Sequence, residues 1–112
     1  MSKLDEKIAA YIAEAKKLNL PLEDSLIESV TKGLGPSIYK ADAETIAASD
    51  PEEIKRLKSN FLIKKLGLPD NAKLDTAIEE VLNQMGKSNR NKYRALVYAL
   101  LVKKFKKESS YK

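Results

Sequence analysis

The chain has 112 residues, 43% hydrophobic and 33% charged, with a net charge of +5. That size implies one domain spanning residues 1–112 with a modest core. There is no cysteine and no histidine, so disulfides, thiol and imidazole nucleophiles, Ser-His-Asp triads and Cys/His metal sites are excluded.

The N-terminal residues are charged and hold no apolar run of signal-peptide length. Together with a cysteine-free composition this points to a soluble cytoplasmic protein. Ser2 is placed to cap a first helix. Leu4, Ile8, Tyr11, Ile12, Ala15 and Leu18 then recur at helical spacing. Asn19-Leu20-Pro21 ends it, because the residue before proline avoids the α region. A second helix is expected over residues 22–32, with Leu26, Ile27 and Val30 inward and Gly33-Leu34-Gly35-Pro36 as its stop. A short helix follows somewhere within residues 37–48.

Asp50-Pro51-Glu52-Glu53 is a helix start, with a capping aspartate, proline at the first position and glutamate three residues after the cap. That helix carries Ile54, Leu57, Phe61, Leu62 and Leu66 and stops at Gly67. A fifth helix, residues 72–84, uses Leu74, Ile78, Val81 and Leu82 and ends at Gly86. No alternating run with hairpin signals appears. The chain reads as all-α, a compact multihelical domain of five or six helices, with residues 108–112 a disordered tail.

The last helix is expected over residues 88–107. Residues 95–102 are apolar on every side, as in a helix surrounded by others, and the run is shorter than the roughly 20 residues that cross a membrane. Its far end carries Lys103, Lys104, Lys106 and Lys107, where the negative end of the helix dipole favours cations. Its near end carries Arg90, Lys92 and Arg94, where the dipole mildly disfavours them, so either something else holds them there or nothing selects against them. From Lys87 onward nine basic residues face one acid, a balance of +8, against −3 for the rest. Such asymmetry suggests an anionic partner at the C-terminal half.

Residues 24–37 echo residues 75–88, with Asp, Ile, Glu, Val, Gly and Ser at one offset, and residues 61–66 echo residues 100–105. Either the chain contains two pseudo-repeated helix pairs behind an N-terminal helix, or amphipathic helices of similar composition align by chance. Gly33-Leu34-Gly35 also has the Gly-hydrophobic-Gly pattern of a helix-hairpin-helix turn that offers backbone N–H groups to a phosphate. Asp42 and Glu44 nearby would repel phosphate, and a plain helix C-cap explains the glycines better.

The candidate site is therefore Lys87, Ser88, Asn89, Arg90, Lys92 and Arg94: a capped helix start with cations around it, suited to a phosphate or carboxylate. Tyr93 within it can either stack on a base or join the core. The paired carboxylates Glu52-Glu53 and Glu79-Glu80 read as surface, so no catalytic constellation, metal site or cofactor is expected. The function expected is a non-enzymatic binding module for an anionic partner, nucleic acid or an acidic protein, with no membrane contact. The alternative is a self-association module that forms a homo-oligomer through an apolar helix face.

The runs from Val30 through Tyr39, from Asn60 through Leu68 and from Gly86 through Ala95 resemble a small bacterial family catalogued only as a domain of unknown function. The likeness spans nearly the whole chain. It implies a compact multihelical cytoplasmic protein and assigns no activity, substrate or site.

Overall fold

The computed structural model describes residues 3–47, 49–86, 89 and 92–108. The helices are α1 (Lys3–Lys17), α2 (Asp24–Leu34), α3 (Ala41–Glu44), α4 (Pro51–Arg56), α5 (Ala72–Met85) and α6 (Arg94–Lys104). A 3₁₀ turn, Gly35–Tyr39, follows α2, and a π-helical segment, Leu57–Lys65, continues α4 without a break. Among the described residues there is no strand, only an isolated antiparallel bridge between Thr45 and Tyr93. The all-α expectation holds. Ser2, the proposed first cap, and residues 109–112 of the expected tail lie outside the described residues.

Helix α6 is the centre. It packs against α1, α2, α3 and α5. Of residues 95–102 only Tyr98 keeps appreciable exposure; Leu96, Val97, Ala99, Leu101 and Val102 have none. Tyr98 lies flat on Phe61, ring centroids 3.8 Å apart. The all-round apolar pattern in the sequence is thus matched by neighbours on every face.

Most stop signals act as the sequence suggests. The Asp50 side chain accepts the N–H of Glu52 at 3.0 Å, with Pro51 in the first turn. Gly35, at φ 66°, ends α2 with its N–H on the Lys32 carbonyl, so the Gly33-Leu34-Gly35 run is a C-cap followed by a 3₁₀ turn. At the end of α1, Asn19 takes φ 56°; its N–H binds the Lys16 carbonyl at 3.1 Å and that of Leu20 binds the Ala15 carbonyl at 2.9 Å. That is a Schellman closure with asparagine in the left-handed position. The end of α6 repeats it with Lys106, also at φ 56°, through Lys106 N–H to Lys103 and Lys107 N–H to Val102.

Residues 50–66 depart from the single α-helix expected. The buried side chains there are Leu57, Phe61, Leu62 and Leu66. Leu57 and Leu62, and Phe61 and Leu66, are five residues apart, which is the π-helical hydrogen-bond spacing and not that of an α-helix. In an α-helix Leu66 would turn away from Leu57. The wider winding keeps all four on the core face, and the Leu66 N–H accordingly binds the Phe61 carbonyl at 3.0 Å. This affects the internal echo. Helices α2 and α5 match, each closed by a positive-φ glycine, Gly35 and Gly86. The second arms differ: residues 61–65 are π-helical, whereas residues 100–104 are α-helical.

Candidate anion-binding site

Helix α6 begins at Arg94 and not at Ser88. The residues before it are held extended by a distant segment: Ile46 donates its N–H to the Lys92 carbonyl at 2.9 Å, and Thr45 bridges Tyr93. Tyr93 becomes the N-cap, and its carbonyl accepts the N–H groups of Leu96 and Val97. Its ring meets that of Tyr11 with centroids 4.9 Å apart, so Tyr93 joins the core and is not presented to a ligand.

The described members of the sequence-derived site face inward. Asn89 donates its side-chain amide to the Met85 carbonyl at 2.9 Å. Lys92 is 6% exposed, and its ammonium donates to the Asn89 carbonyl at 2.6 Å. Arg94 donates Nε to the Ala43 carbonyl at 2.7 Å, one Nη to the Tyr98 hydroxyl at 3.1 Å, and the other to the Glu53 carboxylate. Burial lowers the pKa of Arg94, but the bonds to Tyr98 and Glu53 outweigh it and hold it above its ordinary value. Lys87, Ser88 and Arg90, with Asn91, lie outside the described residues.

The misfit of a cation at a positive helix end is therefore met at Arg94 by an internal anion. Glu53, from α4, also takes Arg56 at 3.1 Å, so one carboxylate ties two helices. A second carboxylate works alongside it. Glu44, from α3, accepts from the Tyr11 hydroxyl and the Lys7 ammonium, both at 2.7 Å. Burial, first, and the bond to Glu44, second, push the Tyr11 phenol far above its ordinary pKa. Sequence reasoning set Glu53 aside as surface and weighed Glu44 only as a repellent. Apart from Arg56, the partners of the two carboxylates lie 33 to 41 residues away along the chain, and no local pattern marks such pairings.

The other cluster of cations has a different setting. Lys103 donates to the Pro21 carbonyl, in the turn after α1. That bond ties the last turn of α6 to the turn after α1; Lys16 and Lys17, exposed in the last turn of α1, precede Pro21 by five and four residues. Lys104 pairs with Glu80 at 2.7 Å, while Lys106 is exposed and Lys107 half-buried. The C-termini of two helices thus form one basic end, in keeping with their dipoles. Glu23 and Asp24, at the start of α2, Glu80 and Glu108 are acids near it.

Two further surfaces bear on partners. Ile54, Ile78 and Leu82 line a cleft of about 430 Å³ between α4 and α5, rimmed by Asp75, Glu79, Asn83 and Lys92. A second cleft, also about 430 Å³, opens at the basic end between α5 and the end of α6 and contains Phe105. Among the described residues no group of His, Cys, Asp or Glu is placed to hold a metal ion, and no helix is long and apolar enough to cross a membrane.

Over residues 10–109 the chain matches the family described as Protein of unknown function (DUF2853). It belongs to that family. The DUF2853 match covers all of α2 through α6, so the family resemblance read from the sequence stands. The match assigns no site. No curated protein matches the chain.

Proposed function

We propose that this DUF2853 protein is a non-enzymatic cytoplasmic binding module for an anionic partner, nucleic acid or an acidic protein, engaged through the basic end. The observation that carries this is the bond from Lys103 to the Pro21 carbonyl. It joins the last turn of α6, which carries Lys103 and is followed by Lys106 and Lys107, to the turn that follows Lys16 and Lys17, and so supports one shared basic end. The partner surface then lies at the far end of α6, since Arg94 is committed to Glu53 and Lys92 is buried.

Salt tests the reading. Each phosphate neutralised by lysine releases counterions, so affinity falls linearly on a log–log plot against salt, with a slope of about −0.7 to −0.9 per contact. Fluorescence anisotropy with a short labelled DNA should give a slope of roughly −3 or steeper. Lys17→Gln, Lys106→Gln and Lys107→Gln together should flatten it by about one unit per contacting lysine. Unchanged affinity and slope in the triple variant would overturn the assignment.

The self-association reading has one support, the apolar floor of the α4–α5 cleft. Against it, Tyr39 is the one exposed large hydrophobic residue among those described, and a homo-oligomer needs a broader apolar face. Sedimentation separates the two readings, because apolar association persists at high salt whereas phosphate binding does not.

A further inference from the structure

Resting on that reading, we propose that the anionic partner is single-stranded nucleic acid and that Phe105 is a stacking platform for one of its bases.

The argument begins with the aromatic side chains. Tyr11 and Tyr93 pack on each other, and Phe61 and Tyr98 form a stack. Tyr39 is exposed, but it lies in the 3₁₀ turn after α2, away from the end where α1 and α6 finish. Phe105 is the described aromatic at the basic end. It is half-buried: one side packs against the core, and the ring also lines the open cleft between α5 and α6. Lys73 and Lys104 are in the wall of that cleft, and Lys106 directly follows Phe105 in the chain. Glu80 lines it too and pairs with Lys104 at 2.7 Å, so those two charges cancel and Lys73 and Lys106 are the cations left to meet phosphate. Lys103 spends a donor on a neutral carbonyl and keeps its charge.

A cleft with an aromatic wall and lysines around its mouth matches a nucleotide: a base to lie on the ring, phosphates to meet the ammonium groups. An acidic peptide would use the lysines and gain nothing from the ring. A duplex keeps its bases stacked inside, out of reach of a side chain set in a cleft. The single strand is the form that uses every part of the site.

The test is anisotropy at low salt with four labelled probes of equal charge: an oligothymidylate of roughly ten nucleotides, the same backbone without bases, a duplex, and polyglutamate. The oligothymidylate should bind at least about tenfold more tightly than the base-free backbone, as one stacked base implies. Phe105→Leu should abolish that preference and Phe105→Tyr should keep it. The preference measured on the unaltered protein stands by itself if a variant fails to fold. Equal affinity for backbones with and without bases overturns the stacking site, and so does tighter binding to duplex or polyglutamate. In those cases the broader anion-binding reading survives. No binding to any of the four overturns both.

Discussion

The two ends of α6 carry the same kind of residue and put it to opposite use. At the first turn, Arg94 sits against the positive end of the dipole and is half-buried against Glu53, Tyr98 and the Ala43 carbonyl. At the last turn, Lys103, Lys104 and Lys106 sit at the negative end and are exposed. The comparison teaches that cation content alone does not make a binding surface. Where the dipole opposes the cation, the fold has supplied an internal carboxylate and so removed the charge from the surface. Where the dipole favours it, Lys103 takes a neutral carbonyl and Lys104 an exposed carboxylate, Glu80, and the ammonium groups stay at the surface.

Removing the helix that joins the ends should have the largest effect. Leu100 is 4% exposed in the middle of α6, and Leu100→Ala should destabilise the protein by roughly 2–5 kcal/mol. A urea midpoint unchanged by it would mean that α6 does not organise the fold.

Breaking the locked end comes next. Removing one partner of a fully buried ion pair costs roughly 3–5 kcal/mol. The side chains of Arg94 and Glu53 retain 15% and 13% exposure, which lowers the expectation for Glu53→Gln to about 2–3 kcal/mol. At the open end, Lys104→Gln breaks the exposed pair with Glu80 and should cost less than about 1 kcal/mol. Similar losses of urea stability in the two variants would erase the distinction between the ends.

The locked end should also respond to alkali. Its Tyr11 phenol has a folded-state pKa raised above the unfolded value of 10.0, chiefly by burial and the bond to Glu44. The folded state therefore holds this proton more tightly. Tyr11's contribution is complete below pH 10 and declines as pH rises beyond it, by at most about 1.4 kcal/mol per pH unit. Urea unfolding from about pH 9 to about pH 11 should show that decline, and Tyr11→Phe should lessen it. Equal slopes in the two proteins would show that the phenol does not titrate on unfolding.

How much of this was legible in the sequence follows from the range of each interaction. The all-α class, the caps at Asp50 and Gly35 and the buried middle of α6 depend on neighbours within a few residues, and periodicity reports them. The π segment is half legible: Leu57, Phe61, Leu62 and Leu66 read as core, but helical periodicity assigns them to an α-helix and misses their five-residue spacing. The start of α6 was misplaced because Ile46 and Thr45 hold Lys92 and Tyr93 in extended form, and that contact has no local signature. Arg94 escapes a local reading for the same reason: the anion beside it is Glu53, 41 residues away along the chain. The dipole alone accounts for Lys103, Lys104, Lys106 and Lys107 in the sequence; what sequence cannot show is that Lys103 reaches the Pro21 carbonyl, in the turn that follows Lys16 and Lys17.

The smallest expected effect separates stability from binding at the open end. Asn19 and Lys106 occupy the same place in two matching helix closures, both at φ 56°. Asparagine tolerates the left-handed region, so Asn19→Gly should be nearly neutral. Lysine there bears roughly 1–2 kcal/mol of steric cost. Glycine would remove this while gaining roughly 0.5–1 kcal/mol of unfolded-state freedom. Lys106→Gly should therefore stabilise the protein by about 0.5 kcal/mol, readable as a small rise in urea midpoint. The same change removes a cation from the proposed partner surface and should weaken binding of a labelled oligonucleotide. Stability and affinity should thus move in opposite directions. A gain in stability with affinity intact would place the partner away from Lys106. A loss of stability would mean that the lysine is supported there by contacts that outweigh its backbone strain.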